Sequence, residues 1–263
     1  MVEGLVTALT LLIGLALGLF VLSVYLKDQS IMDIAYGLCF IALVWTVAYR
    51  LQAFEMPMLI MLTLVTLWGL RLSWRIYRKN KGKPEDIRYK RLRDKWSLQG
   101  HTQFLISSLL NVFLLQALII FIVALPATFL AGMNPATLSP FSYVGIVLWI
   151  IGFIYESVAD AQLDTFMRNR TSRETIMDKG LFRYSRRPNY FGESLMWWGL
   201  AFFAAPMLPV PYLFIVFTSP FLITYIVTSV TGPMLERGWD NNVQYQEYKK
   251  RTSYFIPLPQ KKI

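Results

Sequence analysis

An all-α, polytopic membrane fold is what this sequence predicts, and three observations predict it. The chain of 263 residues is 55% hydrophobic and only 16% charged, with mean hydropathy +0.44, whereas soluble domains carry about a quarter charged residues. Long stretches hold no charge at all, and nearly all basic residues bunch into three segments between them. The net charge of +10 and pI near 9.7 would suit nucleic acid only as a basic face on a soluble domain, and this bunching excludes that reading.

The first helix follows from Gly4 to Leu26, which contains no charged residue. At about 1.5 Å per residue it is long enough for a bilayer core of about 30 Å. Its flank carries Glu3 and no Lys or Arg, and no small-residue cleavage site follows, so it reads as mature structure and not a signal peptide. Gly14 and Gly18 form a small-xxx-small pair of the kind that packs helices. The second and third helices cover Ile31 to Tyr49 and Pro57 to Ile76.

No Asp, Glu, Lys or Arg lies between Trp96 and Tyr155, and turn signals at Ala131 to Pro135 and Ser139-Pro140 divide that stretch. Two helices result, Phe104 to Leu130 and Phe141 to Leu163. The uncharged run from Ser194 to Leu235 is broken by Pro206, Pro209 and Pro211 and supplies two more. Seven transmembrane helices place the termini on opposite sides. Eleven basic residues fall between Arg71 and Lys95, seven between Arg168 and Arg187, and six between Arg237 and Lys262, with none near Asn134 or Pro209. The positive-inside rule then puts the N-terminus outside and the C-terminus in the cytoplasm. Residues 1–263 read as a single membrane domain, with cytoplasmic loops 77–100 and 164–190 and a cytoplasmic tail 232–263 on one side.

The inventory excludes several chemistries. One cysteine, Cys39, rules out a disulfide or a thiolate metal site, and one histidine, His101, leaves no His-based metal centre. No metal is expected. Neither the dinucleotide fingerprint G-x-G-x-x-G nor a phosphate loop ending in G-K-[ST] is present, so a nucleotide would need another architecture.

Ionisable groups inside spans are costly and mark functional candidates. Glu156 and Asp160 are four residues apart on the fifth helix and share a face. Asn189 and Glu193 repeat that spacing at the start of the sixth. Gln52 and Glu55 close the second span before Met56-Pro57, and Arg71, Arg75 and Arg78 form a cationic stripe where the third helix leaves the membrane. Guanidinium groups near carboxylates and Asn suit a large ligand that is anionic at one end and carries hydroxyls and amides elsewhere, as a nucleotide cofactor does. A network of salt bridges between helices, or headgroup contacts for the cations, is the competing structural account.

Asp160-x-Gln162, the block Lys179-Gly-Leu-Phe-Arg-Tyr-Ser-Arg-Arg-Pro-Asn-Tyr-Phe-Gly-Glu193, Trp197-Trp-Gly199, and Tyr248 with Arg251-Thr-Ser-Tyr-Phe-Ile-Pro257 resemble the steroid 5α-reductase family. The closest likeness is to its bacterial branch of seven-helix membrane proteins. The resemblance runs from about Trp68 to Pro257. Similar elements occur in sterol C14 reductases and, more loosely, in isoprenylcysteine carboxyl methyltransferases, which use S-adenosylmethionine.

The resemblance implies an NADPH-dependent oxidoreductase that reduces the carbon–carbon double bond of a Δ4-3-keto steroid or similar lipophilic enone. It implies a monomer in a bacterial inner membrane, with membrane lipids and a steroid-like substrate as partners and no nucleic acid. The implied cofactor contacts are Asp160, Asn189 and Glu193, with Glu156 at a position the family often fills with Asn. Arg71, Arg75, Arg78 and Asn80 at the third-helix exit join them, as do Arg168, Arg170, Arg183, Arg186 and Arg237 and the tyrosines Tyr184, Tyr190 and Tyr248.

Enone reduction needs a hydride at the β-carbon and a donor on the carbonyl oxygen. Glu55 is the candidate donor, because a carboxyl in a water-poor site has a raised pKa and stays protonated, with Gln52 beside it. The alternative for Glu55 is a plain ion pair with Arg50. In the family the Gln and Glu are adjacent, whereas here Ala53 and Phe54 separate them. A family tyrosine on the third helix falls at Trp68, leaving Tyr36, Tyr49 and Tyr89 as substitutes. The span count also puts Glu55 toward the face opposite the basic loops.

Overall fold

The computed structural model describes residues 1–172 and 174–261. Arg173 of the loop 164–190 and Lys262 and Ile263 of the tail lie outside the described residues. No strand occurs among the described residues, and six helices are long and apolar enough to cross a membrane: Val2–Leu26, Ile31–Arg50, Met56–Asn80, His101–Val123, Ser142–Asn169 and Val210–Trp239. This fits an integral, multi-pass membrane protein. The chain divides into two compact units, Met1–Leu138 with Met207–Val216, and Ser139–Pro206 with Phe217–Ile263; the expected single membrane domain is described as these two.

In the first unit, α1 (Val2–Leu26) buries Gly4, Ala8, Leu12, Ala16 and Ser23, a stripe at helical spacing, and exposes Val2, Val6, Leu9, Ile13, Leu17 and Val21. Lipid tails are as apolar as the packed side, so residue size rather than polarity separates the two faces. Gly14 and Gly18 are not part of this seam. A Cβ added at either would meet nothing within 4 Å, because both fall between the positions of the packed stripe.

Helix α2 (Ile31–Arg50) packs on α3 (Met56–Asn80) through Gly37 and Gly69, where an added Cβ would lie 2.4 Å from the Gly69 carbonyl oxygen and 2.7 Å from that of Gly37, respectively. After α4 (Ile87–Ser97), the expected helix from Phe104 to Leu130 is divided. It runs as α5 (His101–Ser108), a π-helical turn (Leu109–Leu114) and α6 (Leu115–Val123), and then restarts as α7 (Leu125–Met133). Pro126 stands in the first turn of α7, where its missing N–H costs nothing, whereas in a continuous helix it would break the ladder.

In the second unit, α8 (Ser142–Asn169) and α9 (Pro188–Ala204) pack antiparallel with their backbones in contact. Glycines at a spacing of seven make this possible. A Cβ on Gly145 would sit 2.3 Å from the Phe203 nitrogen, one on Gly152 2.6 Å from the Gly192 carbonyl oxygen, and one on Gly199 2.7 Å from the Gly145 carbonyl oxygen. The Ser142 hydroxyl closes the seam by donating to the Phe203 carbonyl at 2.8 Å. Helix α10 (Val210–Tyr225) continues through a π-helical turn (Ile226–Thr231) into α11 (Gly232–Glu236), and α12 (Val243–Arg251) carries the last motif. The π turn has a partner far along the chain. The Tyr254 hydroxyl donates to the Thr228 carbonyl at 2.6 Å, drawing that oxygen from the helical ladder, and only a glycine at 232 leaves room for it.

Candidate functional site

The α8–α9 seam determines what meets at the cofactor candidates. An added Cβ on Gly192 would lie 2.6 Å from the Glu156 nitrogen, so the two backbones touch there and Glu156 is held against the first turns of α9. Asp160 lies one turn further along α8, toward the α9 N-terminus. Both carboxylates are buried, at 4% and 3% exposure. Asn189, Tyr190 and Glu193 are half-buried on those first turns. The structure thus gathers Glu156, Asp160, Asn189 and Glu193 at one end of one helix pair, a set of acceptors and one carboxamide.

The segment that feeds α9 is fastened by residues of the same motif block. Gln162 Oε1 accepts from the Leu181 N–H at 2.9 Å, and Gly180 has φ +61, a left-handed conformation that also leaves no space for a Cβ beside Gln162. Ser185 donates to the Phe255 carbonyl at 2.8 Å, and the Tyr248 hydroxyl donates to the Phe182 carbonyl. Burial pushes the phenols of Tyr245 and Tyr248 up, so both stay neutral donors.

Arg186 is bound from four sides. Its Nε and Nη2 fork Glu236 at 2.9 and 3.4 Å, and Nη1 donates to the carbonyls of Lys249 and Thr252, both at 3.0 Å. Its guanidinium also lies over the Tyr254 ring at 5.1 Å, and Arg251 pairs with Asp178 at 2.8 Å. Arg186 and Tyr248, expected as cofactor contacts, thus spend their polar atoms on the chain itself. Arg168, Arg183, Tyr184 and Arg237 are exposed on the same unit, and Arg170 is half-buried on the wall of an open cavity with Glu174, Trp239 and Asn242.

In the first unit, Arg71 and Arg75 are half-buried, Arg78 is exposed and Asn80 half-buried at the end of α3. Gln52 and Glu55 occupy the turn at its opposite end, about 35 Å from Arg78 at 1.5 Å per residue. Both are exposed, Gln52 with φ +51 and its amide donating to the Tyr49 carbonyl, and Glu55 as the N-cap of α3. The structure therefore leaves the Gln52 amide and the Glu55 carboxyl at the end of α3 opposite its arginines. The ion-pair alternative is corrected, since Arg50 pairs with Glu3 at 3.0 Å.

Among the tyrosines, Tyr49 is exposed and the Tyr89 hydroxyl is engaged with Asp33 at 2.6 Å and Gln116 at 3.2 Å. Tyr36 stands on an aromatic column with Phe40 and Trp68, centroids 5.2 Å apart at each step. Its neighbour Gly37 abuts Gly69 and Ser73, so Tyr36 lies at the level of Arg71. No sequence signal separated it from the other two.

Fold and site together define a helical, multi-pass membrane protein with two buried carboxylates, Glu156 and Asp160, at one end of a tightly packed helix pair. The chain matches the family DUF1295, described as a protein of unknown function, over residues 19–252, and it belongs to that family. A relative in Schizosaccharomyces pombe, described as an uncharacterized protein, is 29% identical over 230 residues, which cover 74% of this chain and 63% of the relative. The chain thus spans less than two thirds of that relative's length. No solved structure matches.

Proposed function

We propose that the chain is an NADPH-dependent membrane reductase acting on the carbon–carbon double bond of a lipophilic enone, of which a Δ4-3-keto steroid is the type. The observation that carries this reading is the cluster of Glu156, Asp160, Asn189 and Glu193 at the α9 N-terminus, below a fastened Arg-rich segment. The cluster suits the donors of a nucleotide, its hydroxyls and carboxamide, while the exposed Arg168, Arg183 and Arg237 suit its phosphates. The likeness of residues 160–257 to the steroid 5α-reductase family supports it.

In this reading α9 is the sixth of seven spans, its 17 residues reaching about 25 Å and extended by the 3₁₀ turn Ala205–Met207. The N-terminus lies outside and the three basic segments face the cytoplasm, in a monomer of a bacterial inner membrane. NADPH, when bound, supplies the hydride. Asp160, Asn189 and Glu193 hold and orient it, and Arg186 and Tyr248 fix the segment around it. The substrate carbonyl, whose oxygen gains charge as the double bond is reduced, needs an O–H donor of this chain, for which Glu55 and Tyr36 are the candidates.

Thermal unfolding of the detergent-purified protein with NADPH, NADH and S-adenosylmethionine tests the reading, because a ligand of the native state raises the melting temperature. Stabilisation by NADPH, weakened in Asn189→Ala and Glu193→Gln, is the expected result. Stabilisation by S-adenosylmethionine alone would replace the reductase by a methyltransferase of the isoprenylcysteine type. Turnover of an enone then compares Tyr36→Phe with Glu55→Gln, and the variant that lowers kcat roughly hundredfold identifies the donor to the carbonyl.

A further inference from the structure

We infer that the segment from Arg78 to Leu98 is a docking platform for anionic phospholipid headgroups of the leaflet where α3 leaves and α5 begins. The inference is independent of the proposed reaction. The segment joins two membrane-crossing helices, Met56–Asn80 and His101–Val123, so it is confined to the bilayer surface on one side.

Its charges are sorted by the fold. Glu85 accepts from the Gln29 N–H at 2.9 Å and pairs with Arg93, which also donates to the Lys27 carbonyl. Asp86 caps α4 through the Arg88 N–H at 2.9 Å and accepts from its guanidinium at 3.0 Å, and Arg88 reaches Asp33 of α2 at 2.9 Å. Burial pushes the Asp86 carboxyl up, yet these bonds to Arg88 hold it below the usual carboxylate value. Tyr89, buried on the same side of α4, bonds Asp33.

These contacts consume two acids of the segment and leave Asp94 as its exposed one, against exposed Arg78, Lys81, Lys83, Lys90, Arg91 and Lys95. The outward side is therefore almost purely cationic and is held in place by α1 and α2. Exposed Trp74 and Tyr77 in the last turns of α3 add the amphipathic rings that sit at headgroup level. A polybasic juxtamembrane surface of this kind attracts anionic lipid, and each cation near the surface strengthens the attraction by about fivefold.

The test uses the full chain in nanodiscs of phosphatidylcholine, with and without about one third phosphatidylglycerol, and reads the thermal midpoint, which is expected to rise by roughly 5 °C or more in the anionic discs and less at high salt. A protein carrying Lys81→Gln, Lys83→Gln, Lys90→Gln, Arg91→Gln and Lys95→Gln is expected to lose most of that rise. Lys250→Gln with Lys261→Gln, exposed cations of the tail, keeps it. Asp94→Lys, which removes the one opposing charge, enlarges it and serves even if the fivefold variant does not fold. Retention of the rise in the fivefold variant, equal loss in the tail variant, no gain in Asp94→Lys, or the same rise from inorganic phosphate in neutral discs would overturn the inference; the last would give the surface to a soluble anion.

Discussion

Arg186→Ala is expected to destabilise the protein by about 3–5 kcal/mol, the usual cost of stripping one partner from a buried ion pair. The Arg186 and Glu236 side chains are 8% and 7% exposed, so the alanine variant leaves a carboxylate in a nearly dry site with Lys249, 42% exposed and 3.6 Å away, as its remaining ion-pair partner. It also orphans the carbonyls of Lys249 and Thr252, which accept from Nη1 at 3.0 Å. Lys at 186 keeps the charge but lacks the planar fork, and restores only part of the loss. Removing both charges, in Arg186→Met with Glu236→Leu, is expected to cost less than Arg186→Ala alone, because no buried ion remains and Lys249 is 42% exposed. Thermal unfolding in one detergent compares the four proteins. An Arg186→Ala midpoint equal to wild type would show that the guanidinium is not what closes residues 248–258 over the start of α9. If NADPH binds as proposed, Arg186→Ala lowers its affinity only as far as it loosens that segment, so Arg186→Lys recovers affinity and stability together.

The long spans were legible because a bilayer imposes a length and an absence of charge that can be read without knowing any contact. The boundaries of α1, α2 and α3 fall within a few residues of the apolar runs read from the sequence. What depends on a distant partner was not legible. The π turn at Ile226–Thr231 follows from a tyrosine hydroxyl some 25 residues later, and its only local trace is Gly232. The packed stripe of α1 was misplaced because Gly14 and Gly18 look like a packing motif, whereas the register is set by Gly4, Ala8 and Leu12. In the Lys179 to Glu193 block the sequence marks which residues matter but not to whom: Arg186 and Tyr248 turn inward to the chain, while Asn189 and Glu193 border the acidic cluster. The place of Glu55 was not legible either, since an acid near a span end looks buried in sequence, and only the structure puts it on a turn as the N-cap of α3.

Gly152→Ala is expected to cost about 3 kcal/mol, at the upper end for overpacking, although it adds a single methyl group. The added carbon would stand 2.6 Å from the Gly192 carbonyl oxygen and 2.8 Å from the Met196 nitrogen. Neither is a side chain that can change rotamer, so α8 and α9 must separate. Gly14→Ala is the matched control, because that glycine meets nothing within 4 Å and alanine is favoured over glycine in a helix interior by up to about 1 kcal/mol; its midpoint is expected to be unchanged or slightly raised. Separation of the pair also moves Glu156 and Asp160 away from Asn189 and Glu193, since the Gly192 contact with Glu156 is part of the same seam. Where it still folds, Gly152→Ala is therefore expected to weaken NADPH binding far more than Gly14→Ala, although residue 152 lies a full turn from the nearest acid. Equal midpoints for the two variants would mean that the helices can part at no cost and that the seam does not set the geometry of the cluster. A large loss of stability with undiminished affinity would separate the two roles, leaving the seam as a packing device and placing the cofactor elsewhere.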